Sequence, residues 1–70
     1  MNPPPAITVN GTTRPLEHPC TLARLIQSLG LAGQPVIAEL NEQAVIPRDY
    51  PSTPVRPGDR IEIVTLAAGG

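Results

Sequence analysis

The sequence predicts an α+β domain: a mixed β-sheet with a single helix laid across one face. Three observations predict it. An alternating, β-branched stretch, "AITVN", runs straight into Asn10-Gly11, the strongest short-range hairpin signal. One amphipathic stripe comes next, with Leu22, Leu25, Ile26 and Leu29 recurring at helical spacing. Two further β-rich stretches, Val36 to Asn41 and Arg60 to Leu66, come after the stripe.

In the first strand, Ile7 and Val9 share a face. Thr12 to Glu17 returns as the second strand, with Leu16 inward. Pro15 confines that strand to an edge, because proline cannot donate to a ladder. Thr21 or Cys20 opens the helix, and Thr is the better N-cap. Arg24, Gln27 and Ser28 face water, and Gly30 supplies the left-handed stop. The third strand is Val36 to Asn41. A turn over Asn41-Glu42-Gln43 leads to a short fourth strand, Ala44 to Pro47. Arg48 to Pro57 has three prolines and no period, so it reads as an irregular crossing with one 3₁₀ turn. Pro57-Gly58-Asp59 turns the chain, Asp59 capping the turn, into the last strand, Arg60 to Leu66. The first and last strands are the most apolar, so they belong side by side at the centre. The arrangement is of the β-grasp type.

Seventy residues make one domain, too small for a deep, multi-residue catalytic cleft. Residues 1–5 are expected to form a disordered or polyproline-like leader, 6–66 the folded domain and 67–70 a flexible tail. The net charge of -1 and five scattered arginines, with no lysine, predict neither a nucleic-acid partner nor a membrane one. The beginning "MNPPPA" lacks the basic and apolar regions of a signal peptide, and no apolar run reaches the roughly 20 residues of a membrane span. The single Cys20 allows no internal disulfide, and no Cys/His cluster offers a metal site. The expected compartment is the cytoplasm.

Few residues offer chemistry. His18 and Cys20, two apart, form a conceivable thiolate–imidazole pair, but nothing supplies an orienting group or an oxyanion site. The reading preferred for them is a small thiol packed at the helix entry and an exposed loop histidine. Glu39, Glu42, Asp49, Asp59 and Glu62 are dispersed, Glu39 and Glu42 being expected in water beside their turn. Gly30 and Gly33, without a lysine, do not make a phosphate loop.

The last strand and the residues after it are more informative. Ile61 and Ile63 share one face and should meet the helix. Glu62, Val64 and Leu66 share the other, and two aliphatic residues left there suggest a partner. Beyond them lie Ala67, Ala68, Gly69 and Gly70, four residues that extend about 13–14 Å. With side chains absent or a single methyl, they fit a narrow channel. Adenylation would give the Gly70 carboxylate a leaving group, and glycine would leave its acyl carbon open to a sulfur nucleophile.

Three stretches, "VNGTTRPLE", "ELNEQAVIPRDY" and "RPGDRIEIVTLAAGG", resemble the sulfur carrier proteins of thiamin biosynthesis, members of the ubiquitin-like β-grasp superfamily. The resemblance covers Ala6 to Gly70, and Val45 to Arg48 is its most discriminating stretch. Leu66 departs from it, since an aromatic residue is common near that position. The resemblance implies a carrier and not an enzyme. It would bind no cofactor of its own. An E1-like adenylating enzyme would spend ATP on Gly70, sulfur from a persulfide or sulfide donor would displace AMP, and a thiazole synthase would consume the thiocarboxylate. Ala67, Ala68 and Gly69 would form the thread, and Val64 and Leu66, with Glu62 and Arg60, would dock the partners. Alternatives are a carrier for molybdenum cofactor, against which the Phe-free "IVTL" argues, a ubiquitin-like protein modifier, or a binding module with an inert tail.

Overall fold

The computed structural model describes residues 4–66. In chain order these form β1 (Ala6–Val9), β2 (Thr12–Pro15), β3 (Cys20–Thr21), α1 (Leu22–Ser28), β4 (Val36–Leu40), β5 (Gln43–Val45), a 3₁₀ helix (Pro47–Ser52), β6 (Pro54–Val55) and β7 (Arg60–Thr65). No helix among the described residues is long and apolar enough to cross a membrane.

The hairpin forms where expected. Asn10 and Gly11 take φ of +50° and +81°, the mirror-image turn that suits the twist of two antiparallel strands. Asn41 and Glu42 make a second such turn, with φ of +51° and +70°, between β4 and β5. Asn tolerates that conformation readily; Glu does not, and a strained residue of this kind costs on the order of 1–3 kcal/mol.

The main sheet has the order β2-β1-β7-β4-β5. β1 and β7 lie side by side and parallel, and every other pair is antiparallel. β7 therefore occupies the middle, and β2, carrying Pro15, is an edge, as its proline requires. Leu16 is buried, though it falls just beyond β2.

One helix of seven residues would not be stable alone. It is held by a cap and by burial. Thr21 Oγ1 accepts the Arg24 N–H at 3.3 Å, and Leu22, Leu25 and Ile26 are buried against Ile7, Val9, Ala38, Ile61 and Ile63. Leu29 is only partly buried and caps the helix end, with Gly30 left-handed after it at φ +77°.

The crossing segment is more ordered than its composition suggests. Cys20–Thr21 pairs with Pro54–Val55 as a separate two-stranded sheet, and the Leu22 N–H donates to the Thr53 carbonyl at 2.8 Å. The fourth strand is Gln43–Val45, not Ala44 to Pro47, because Pro47 opens the 3₁₀ helix. Tyr50, the only Phe, Trp or Tyr in the sequence, is buried there as part of the core.

Candidate functional site

β7 carries the site because its residues alternate. Ile61 and Ile63 face the helix and are buried. Arg60, Glu62 and Val64 face away and are exposed, and Leu66, one residue past the strand, is exposed as well. The face they form is the side of the sheet that no helix covers.

Register identifies their neighbours. Val64 stands directly opposite Ile37 on β4, and Glu62 opposite Glu39. Ile46 lies one residue past β5, still extended, and points away from the core that Val45 joins. Continuing the β4–β5 register puts it beside Ile37. Ile46, Ile37 and Val64 thus make a row across three strands, with Leu66 at its end. They are 49%, 48%, 58% and 48% exposed. They are also the only large hydrophobic side chains so exposed among the described residues. Ile37 and Ile46 were not expected from sequence. Val36 and Ile37 are both aliphatic, so parity within "VIAEL" was ambiguous until β4 was set against β7.

The row ends beside a shallow apolar hollow lined by Gly33, Pro35, Val36, Pro47, Tyr50 and Leu66. The Leu66 N–H donates to the Pro35 carbonyl at 2.9 Å, and the Tyr50 hydroxyl donates to the Val36 carbonyl at 3.4 Å. These contacts fix the point from which the chain leaves the sheet.

Two asparagines pin β7, one at its start and one within the strand at Ile63. At its start, the Arg60 N–H donates to Asn41 Oδ1 at 2.9 Å, and Asn41 Nδ2 donates to Asp59 Oδ1 at 3.0 Å. Asp59 Oδ2 accepts the Arg56 N–H at 2.8 Å, the turn cap expected of it. Farther along, β1 has already turned away at Asn10. There the Asn10 carboxamide replaces a strand: its Oδ1 accepts the Ile63 N–H at 2.7 Å and its Nδ2 donates to the Ile63 carbonyl at 3.0 Å.

Charge on the open face is one-sided. Arg60 pairs with Glu42 at 2.7 Å. Glu39 and Glu62 form no salt bridge among the described residues. Glu39 is half-buried between its neighbours, where open water was expected. The remaining surface pair, Arg48 with Asp49 at 3.9 Å, is loose and contributes little.

His18 and Cys20 line a second, open groove between β2 and α1, together with Arg14, Glu17, Arg24 and Ser28. Cys20 is half-buried in β3, as a packed thiol would be, and His18 is exposed. No group of three or more His, Cys, Asp or Glu residues among those described could hold a metal ion. Ala67, Ala68, Gly69 and Gly70 lie outside the described residues.

Comparison with known proteins bears on the whole chain. Residues 7–70 match the model of the ThiS family. The chain is 38% identical over 64 residues to the sulfur carrier protein ThiS of Thermus thermophilus, covering 91% of this chain and 98% of that one. It also resembles the crystal structure of a thiamine biosynthesis protein, ThiS, from Geobacter metallireducens. That likeness has a TM-score of 0.79 at 26% identity, over 93% of this chain and 99% of the other.

Proposed function

Because the chain belongs to the ThiS family of small sulfur carriers, we propose that its Gly70 carboxylate is the group that carries sulfur for thiamin biosynthesis. The carboxylate attacks the α-phosphorus of ATP in the active site of an E1-like adenylating enzyme. Pyrophosphate leaves, and an acyl-adenylate forms on Gly70. A sulfur nucleophile then attacks the acyl carbon, and AMP departs with the bonding electron pair. Sulfide gives the thiocarboxylate directly. A protein persulfide gives an acyl disulfide, which a thiol reduces to the thiocarboxylate. A thiazole synthase consumes that sulfur in building the thiazole ring. The protein acts as a cosubstrate, binds no cofactor itself, and works in the cytoplasm beside its ATP-using partner.

The observation that carries this reading is the convergence of Ile37, Ile46, Val64 and Leu66 at the end of the sheet from which residues 67–70 continue. Apolar side chains grouped on an otherwise polar surface mark a protein contact. A partner seated on them is within about 13–14 Å of Gly70, the reach of four extended residues. Val64 and Leu66 would make the apolar contact, and Glu62 and Arg60 would lie at its edge. Ala67, Ala68 and Gly69 would pass through the channel, where only small side chains fit.

The test is a mass measurement. Incubated with ATP, the adenylating enzyme of the same organism and a sulfur donor, the C-terminal peptide should gain the mass difference between oxygen and sulfur. Removal of Gly69 and Gly70 should abolish the gain. A wild-type peptide that stays unchanged would sink the proposal.

A further inference from the structure

Glu39 and Glu62 are opposite one another on adjacent antiparallel strands, on the same open face. Directly opposed side chains have Cβ atoms about 4.5–5.5 Å apart, and like charges placed so are destabilising. Neither carboxylate forms a salt bridge among the described residues, and the nearby Arg60 guanidinium is engaged by Glu42. Three carboxylates against one guanidinium leave this face with two uncompensated negative charges. The fold alone gains nothing from the opposed pair.

The face is also polarised along β7. Leu66 and Val64, with Ile37 and Ile46 beside them, occupy the end where the chain leaves the sheet. The Glu39–Glu62 pair comes next, and the Arg60–Glu42 pair closes the far end. An apolar patch by itself can be met in many orientations. An acidic pair on one side of it leaves one favoured orientation, because complementary charge steers the encounter and penalises the wrong register.

We propose that Glu39 and Glu62 are the orienting half of the docking surface, recognised by arginine or lysine side chains that flank an apolar surface on the adenylating enzyme. This rests on the reading that Gly70 is adenylated. Charge complementarity selects the occupant: a second copy of this chain would bring the same acidic pair and be repelled by it. Geometry then locates the basic groups. Glu62 is four residues from Leu66, about 13 Å along a strand, and Gly70 is at most about 13–14 Å farther. The partner's basic side chains therefore lie within about 27 Å of its ATP site.

The experiment compares wild type with the double variant Glu39→Gln/Glu62→Gln. Gln keeps the size and one accepting oxygen, puts an N–H donor group in place of the other, and removes the charge. Two quantities are read: the urea midpoint of the free protein, and KM and kcat for the carrier in ATP–pyrophosphate exchange by the adenylating enzyme of the same organism. The variant should unfold at an equal or higher urea concentration, since a repulsion is gone. Its KM should rise on the order of 10-fold at low salt, the lower end of electrostatic steering, with kcat preserved at saturating carrier. The difference should vanish at about 1 M salt, where the Debye length is about 3 Å. A KM equal to that of wild type at low salt would overturn the proposal. So would a rise that salt does not remove, or a lowered urea midpoint, which would make the pair structural. Wild-type protein that supports no exchange at all would overturn the adenylation reading and this inference with it. Exchange by wild type with an indifferent variant would overturn this inference alone.

Discussion

On β7, Ile61 and Ile63 face the helix at 0% and 5% exposure, while Val64, next in sequence, stands at 58% on the other side. Across β4 the same split recurs: Ala38 is fully buried and its neighbour Ile37 is nearly half exposed. Both faces carry aliphatic side chains, although only the open one also carries charges, at Glu39, Arg60 and Glu62. What separates the aliphatic side chains of the two faces is cover. On one face the helix removes the side chains from water, worth roughly 1.5–3 kcal/mol for each fully buried residue. On the other nothing does, and the same kind of side chain gains little from folding. One strand thus serves stability with Ile61 and Ile63, and leaves its even positions for the docking proposed above.

The sharpest way to break this division is at Ile61, fully buried between helix and sheet. Ile61→Ala should cost about 2–5 kcal/mol, the lost transfer energy plus a cavity. Urea unfolding would measure it. At temperatures where the variant stays folded, its KM for the adenylating enzyme should match wild type. A small stability loss with a raised KM would mean that the helix face, too, serves the partner.

Much of this was legible beforehand because the signals were local. Asn10-Gly11 needs no tertiary information to specify a turn, and the stripe of Leu22, Leu25 and Ile26 needs only helical spacing. The parity of β7 was readable because Ile61 and Ile63 alternate with Glu62. The pairing of β3 with β6 was not readable. Each is two residues long, one contains Pro54, and neither is long enough to show a period. The row from Ile46 to Val64 was half visible. Val64 and Leu66 followed from parity, but Ile37 and Ile46 depend on which residues of β4 meet β7 and which of β5 meet β4, and register is a tertiary fact. The Asn10 clamp was hidden for a similar reason. Asn10 was fully explained by its turn, and nothing local ties it to Ile63, 53 residues away.

That clamp sits between the two faces and should give an intermediate effect. Asn10→Gly retains the positive φ of the turn and deletes only the carboxamide. Ile63 then loses partners for its N–H and its carbonyl, both part-buried. The expected cost is about 1–3 kcal/mol. Amide hydrogen exchange should show the loss of protection concentrated at Ile63 rather than spread over the sheet. Uniform loss would mean that the hairpin, and not the clamp, was damaged.

The smallest effect on stability should come from the open face. Val64 has one cross-strand neighbour in the row, Ile37, whereas Ile37 has two, Val64 and Ile46, and each contact is worth roughly 0.2–1 kcal/mol. Ile37→Ser and Val64→Ser should therefore leave the urea midpoint almost where it was. The same changes should raise the KM for the adenylating enzyme about tenfold each, the equivalent of about 1.4 kcal/mol of lost contact. High salt should leave this rise in place, unlike that caused by neutralising Glu39 and Glu62, because burial of apolar surface is not screened as charge is. The contrast in salt response assigns the two ends of the face separately: apolar contact beside the exit of the chain, electrostatic orientation one pleat further in. A loss of stability well beyond about 1 kcal/mol at Val64, or about 2 kcal/mol at Ile37, would instead make the exposed row a minor second core and remove the reason to seek a partner there.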